Sequence, residues 1–135
     1  MITRDDIDIF IMAGGKSVRM GQDKGMMIVG KKPILLHLSD TLLKNGLSFT
    51  VIANKDEYKK FGFKIVNDTI PQKGPMGTLF TAFCHSTKKF VMLLVCDTAF
   101  VLAKCVSRIN PLMSVYPISI KNIVLSCVTN NQLKM

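Results

Sequence analysis

Two stretches of this chain, Ile7–Met12 and Phe90–Val95, are largely apolar, free of Gly and Pro, and run straight into polar residues. The first is followed by Ala13-Gly14-Gly15-Lys16 and the second by Cys96-Asp97. Runs of this kind suit strands buried on both faces of a sheet. Between them the period changes. Pro33 opens PILLHLSDTLLKNG, with apolar residues at Ile34, Leu35, Leu38, Leu42 and Leu43 and with Gly46 placed to stop a helix. Leu47–Ala53 and Phe63–Val66 read as strands, and the polar segment Lys55–Phe61 between them as a short surface helix. Met76–His85 carries Met76, Leu79, Phe80 and Phe83 at the spacing of one helical face. Strands that alternate with helices predict an α/β fold with a mainly parallel sheet covered on both sides. Ligands of such sheets sit beyond the carboxyl ends of the strands. The strands predicted here deliver to that end the loop 13–24, Asn54, Asp68 and Asp97.

The bulk properties narrow the partners. At 135 residues the chain makes about one domain, and 48% hydrophobic with 20% charged residues is a balance that builds a core without staples. Three aspartates in MITRDDIDIF stand where an export signal needs positive charge, and the apolar run at 90–96 is too short to span a bilayer. A cytoplasmic protein without membrane contact is expected. Cys84, Cys96, Cys105 and Cys127 form no close pairs, so reduced, mostly buried thiols are expected rather than a metal centre. The net charge of +9 favours an anionic partner, although a solvated basic surface would carry the same charge. The cations are scattered with little aromatic interleaving, which argues against nucleic acid.

A glycine pair directly after a buried strand lets the backbone approach a ligand and aim N–H groups at an anion. Arg19 and Lys24 add charge to the same loop. Neither common phosphate loop fits. Gly14-Gly15-Lys16 is not GxGxxG, and Gly21 is followed by Gln22 rather than by the Lys of a Walker loop.

The segment AGGKSVRMGQDK, residues 13–24, resembles the signature AGGxSxRMGxDK of the molybdenum cofactor guanylyltransferases, with Met12 in place of the usual leucine. The resemblance continues through Asn54 in VIANK, Asp68 in IVNDTI, the stretch KGPMGTLFTAF, and VCDTAFV, where the family has Cys-Asp-x-Pro-Phe. It covers residues 6 to about 101. It implies a Rossmann-like, three-layer nucleotidyltransferase fold of the GT-A kind, and transfer of GMP from GTP to the phosphate of molybdopterin with release of pyrophosphate. It further implies Mg²⁺ as cofactor and transient contact with other enzymes of the molybdenum cofactor.

By the same resemblance, Met12, Ala13 and Gly14 offer backbone contacts to GTP, Lys24 neutralises the triphosphate, Asn54 and Asp68 contact the nucleoside, and Asp97 holds the metal. Each has a structural rival. The glycines would also serve a tight turn, Lys24 a solvated surface, Asn54 and Asp68 the Asx turns that end strands, and Asp97 a helix N-cap. Arg19 divides evenly between phosphate contact and loop scaffolding. Met20, Met26 and Met27 read as packing, and His37 as a helix residue without a catalytic partner.

The tail departs from this pattern. All nine acidic residues lie at or before Asp97, and residues 98–135 carry only Lys104, Arg108, Lys121 and Lys134 as charged groups. The expected organisation is a nucleotide-binding half over residues 1–100 and a distinct segment over 101–135, shortened or altered from the family's design. One strand is predicted there, at Asn122–Val128. A sheet so shortened is expected to leave an apolar edge open. The rival functions are a remnant that binds GTP without transferring it, and a cytidylyltransferase or sugar-phosphate nucleotidyltransferase of the same fold.

Overall fold

A computed structural model describes residues 3–13, 24–54, 56–70, 74–95 and 114–129. Its centre is β1 (Ile7–Met12), the first strand of the chain, which pairs in parallel with β4 (Thr50–Ile52) on one side and with β6 (Phe90–Val95) on the other. Beyond β4 lies β5 (Ile65–Val66), also parallel, and beyond β6 lies β7 (Ser114–Pro117), which is antiparallel. The order is therefore β5-β4-β1-β6-β7, a mainly parallel sheet. A small antiparallel hairpin of β2 (Ile28–Val29) and β3 (Lys32–Pro33) stands apart from it.

The period-two alternation of β1 divides the core into two layers. Ile9, Ile11 and Ala13 pack with Leu35, Leu38 and Leu42 of α1 (Ile34–Lys44), which covers one face. Phe10 goes to the other face, with Met76, Leu79 and Phe83 of α2 (Gly74–His85) and with Val124 of α3 (Lys121–Thr129). This is the three-layer α/β arrangement read from the sequence.

Local chemistry explains the ends of α1. Pro33 precedes its first residue, whose N–H donates to the Met27 carbonyl at 2.9 Å. At the other end Gly46 takes φ 70°, the Leu47 N–H reaches the Leu42 carbonyl at 3.0 Å, and the helix stops in a Schellman turn. Near the amino terminus, the Asp6 carboxylate accepts the Thr3 N–H at 3.0 Å and the Thr3 hydroxyl at 3.1 Å.

Several elements differ from the sequence reading. Asp56–Phe61 forms a 3-10 helix, because so short a segment does not recover the cost of nucleating an α-helix; it buries Tyr58 on the α1 face. The strand predicted at 122–128 is instead part of α3. There, packing of Val124 on α2 outweighs the β-branched bias of Asn122–Val128, and Lys121 lies 5.9 Å above the Phe80 ring. The sequence reading contained neither β7 nor the β2–β3 hairpin. Far from being open, the outer edge of β6 is covered by β7, with Val91 opposite Tyr116 and Met92 opposite Val115. Cys84 is an exposed free thiol, against the expectation of burial, while the other cysteine side chains lie outside the described residues.

Candidate active site

The chain runs outward from β1 to β4 and β5, then returns to lay β6 on β1's opposite side. In open α/β sheets such a reversal marks the place where ligands bind, beyond the carboxyl ends of the strands, here those of β1 and β6. Register sets its floor. Met12 stands opposite both Ile52 and Val95, and Ile52 opposite Val66, so four strands end at one level. Two bonds extend the ladder: the Ala13 N–H donates to the Ile52 carbonyl and the Ala53 N–H to the Val66 carbonyl, each at 3.0 Å.

On this floor Met12 is the last residue of β1, its side chain packed into the α2 layer, and Ala13 is buried in the α1 layer. Lys24 opens a 3-10 turn, Lys24–Met26, that rests against α1. Met26 and Met27 pack on the α1 layer, as their reading as packing residues predicts. Gly14, Arg19 and Asp97 lie outside the described residues, as does Met20.

The structure joins Asn54 and Asp68. The Asn54 Oδ1 accepts the Asp68 N–H at 2.8 Å. The Asp68 carboxylate is itself held on three sides. Its Oδ1 accepts the Ile70 N–H at 3.1 Å, which is an Asx turn, and the Thr81 hydroxyl at 2.8 Å; its Oδ2 accepts the Thr78 hydroxyl at 3.2 Å. Both threonines are buried on α2. The sequence reading missed them. The available signal was Thr-x-x-Thr in an otherwise apolar helix, where two hydroxyls three residues apart share a face and each needs a partner when buried. Asn54 is exposed, and its amide N–H groups have no partner among the described residues.

His37 has a structural task. Its Nε2–H donates to the Val29 carbonyl at 2.7 Å, fastening the β2–β3 hairpin to α1, and Lys32 of the hairpin pairs with Asp40 of the helix. The opposite end of the sheet is tied by Asp8, whose Oδ2 accepts the Ser86 hydroxyl at 2.7 Å and the Thr87 N–H at 3.0 Å. A cavity of about 320 Å³ lies at that end, lined in part by Ile7, Ile9, Leu47 and Met92. Among the described residues no three His, Cys, Asp or Glu side chains cluster to hold a metal, and no helix is long and apolar enough to cross a membrane.

Comparison with known proteins agrees with this geometry. Residues 9–117 match the model of the MobA-like NTP transferase domain, a span that reaches past the motifs into β7. The chain is similar to a probable molybdenum cofactor guanylyltransferase of Flavobacterium johnsoniae, at 27% identity over 97% of this chain and 79% of the relative. It is 38% identical to the molybdenum cofactor guanylyltransferase of Haemophilus influenzae over 70% of its length, and that alignment spans only 51% of the Haemophilus protein. The fold is similar to that of the molybdopterin-guanine dinucleotide biosynthesis protein A of Archaeoglobus fulgidus, with a TM-score of 0.73, 12% identity, and coverage of 94% of this chain and 75% of the other. The chain belongs to the MobA-like NTP transferase domain family, a family of nucleotidyltransferases.

Proposed function

We propose that this chain transfers GMP from GTP to the phosphate of molybdopterin, forming molybdopterin guanine dinucleotide. The observation that carries this reading is the common level at which β1 and β6 end, with AGGKSVRMGQDK leaving the sheet directly after Met12. The guanylyltransferase names of the Flavobacterium and Haemophilus relatives support the choice of substrates.

In the reaction, a phosphate oxygen of molybdopterin attacks the α-phosphorus of GTP. The bond from that phosphorus to the bridging oxygen breaks, and pyrophosphate leaves with the electron pair. The protein's tasks are therefore alignment and charge neutralisation rather than covalent chemistry. Backbone groups of Met12, Ala13 and Gly14 receive the nucleotide. Lys24 and Arg19 neutralise the triphosphate, and Asn54 with Asp68 holds the nucleoside.

Mg²⁺, the cation that the resemblance implies, is a hard ion held by one or two carboxylates together with the substrate's own oxygens. Asp97 would hold it, and when bound it would offset negative charge on the triphosphate. Residues 1–100 make the nucleotide half in this reading, and residues 101–135 the remainder.

The direct test is calorimetric titration of GTP, CTP and ATP with Mg²⁺, followed by assay of pyrophosphate release with molybdopterin. GTP should bind tightest and pyrophosphate should appear only with acceptor present. Tighter CTP binding would replace guanylyl by cytidylyl transfer, and GTP binding without turnover would leave a binding protein.

A further inference from the structure

We propose that Thr81 is a positioning residue that, with Thr78, fixes Asp68 so that its carboxylate takes a single donor, a ribose hydroxyl of the nucleotide. This rests on the reading of Asp68 as a nucleoside contact. An ionised carboxylate has about four acceptor sites, two on each oxygen. On Oδ1 both are used, by the Ile70 N–H at 3.1 Å and the Thr81 hydroxyl at 2.8 Å. On Oδ2 the Thr78 hydroxyl at 3.2 Å uses one. Among the described residues one site remains, on Oδ2.

That count selects among the groups of a nucleotide. The guanine edge presents N1–H and the 2-amino group side by side, a pair that calls for both oxygens of a carboxylate. With Oδ1 saturated, Asp68 cannot meet it. A ribose hydroxyl asks for one acceptor, the number that the described contacts leave on Oδ2. Recognition of the base then belongs to other groups.

Thr81 is the member that makes the orientation rigid. It is fully buried on α2. Its oxygen accepts the Thr69 N–H at 2.8 Å, so its hydrogen is free to donate toward Asp68 at 2.8 Å or the Gly77 carbonyl at 3.0 Å. The charged acceptor is the nearer and the stronger of the two. Through the Asn54 bond to the Asp68 N–H, the same anchor also reaches the end of β4.

The test measures Mg–GTP affinity of the full chain by calorimetry for the parent, Thr81→Ser, Thr81→Val and Asp68→Asn. Thr81→Ser keeps the hydroxyl and should bind within about threefold of the parent, whereas Thr81→Val and Asp68→Asn should each bind roughly tenfold more weakly. The same series with 2′-deoxy-GTP and 3′-deoxy-GTP should close the gap between parent and Asp68→Asn for one of the two. A gap that persists on both, or Thr81→Ser as weak as Thr81→Val, overturns the inference. Should Thr81→Val fail to fold by circular dichroism, Asp68→Asn carries the comparison, since it keeps an oxygen for Thr81 and Ile70. A parent that prefers CTP fails the guanylyl reading alone, and the deoxycytidine forms then serve as the probes. A parent that binds no nucleotide overturns both.

Discussion

Asn54 and Asp68 sit on different strand ends, 14 residues apart, and are joined by one bond of 2.8 Å from the Asp68 N–H to the Asn54 side chain. The bond is exposed, so water can replace its acceptor. Asn54→Ala should therefore lower stability by only about 1 kcal/mol in a urea melt, yet weaken GTP binding by roughly tenfold. Asn54→Asp keeps an acceptor for the N–H but removes the amide donors, and should melt like the parent while binding GTP poorly. Undiminished GTP affinity in both variants would take Asn54 out of the site.

The roles given to Lys24 and Asp97 separate by assay. Lys24→Ala should raise the GTP dissociation constant by about tenfold through loss of a charge-assisted contact. Asp97→Ala should abolish magnesium-dependent turnover while leaving nucleotide binding without metal near the parent value. Parent-level turnover in Asp97→Ala would remove it from the metal site.

The helical reading of residues 121–129 has its own check. Val124 is buried against α2 whereas its neighbour Ile123 is 64% exposed. Val124→Ala should cost about 1–2 kcal/mol in a denaturant titration. Ile123→Ala should stay within about 0.5 kcal/mol of the parent. Equal losses would contradict the packing of α3 on α2.

Asp6 supplies a pH-dependent contribution. The Thr3 N–H, then the Thr3 hydroxyl and more weakly Lys89 and Lys88, hold its carboxyl below the usual aspartate range. A depressed folded-state value means that the contribution is present above the ordinary aspartate pKa and fades as pH falls through the lowered one. In an NMR titration the Asp6 carboxyl should have its midpoint below that of a free aspartate, and Thr3→Val should move it upward. An unmoved midpoint would show that the Thr3 hydroxyl does not act on Asp6.

What could be read from the sequence followed the strength of each periodic signal. The bounds of β1 and β6 and the stop of α1 at Gly46 were legible because long apolar runs and a left-handed glycine leave few alternatives. The hairpin at 28–33 was missed because each of its strands has two residues, too few to show a period. β7 was missed because Ser114–Pro117 is short and ends in a proline, which an edge strand tolerates but which reads as a breaker. At the site, the order of motifs along the chain was enough to bring Asn54 and Asp68 to one end of the sheet. Thr78 and Thr81 stayed hidden because they interrupt no pattern: their partner, Asp68, lies on another element, and only the folded chain shows the encounter.

The central position of β1 has a consequence for how the chain is made. β1 must be flanked on both sides, and of its two neighbours β6 is made well after β4. The Asp8–Ser86 bond, spanning 78 residues, marks the length of the loop that must close. Pairing over such distances is slow and leaves the waiting edge available to other chains. A nascent chain halted before Phe90 would carry β1 bare along the edge that β6 covers, so Phe90–Val95 must be made before that edge can close.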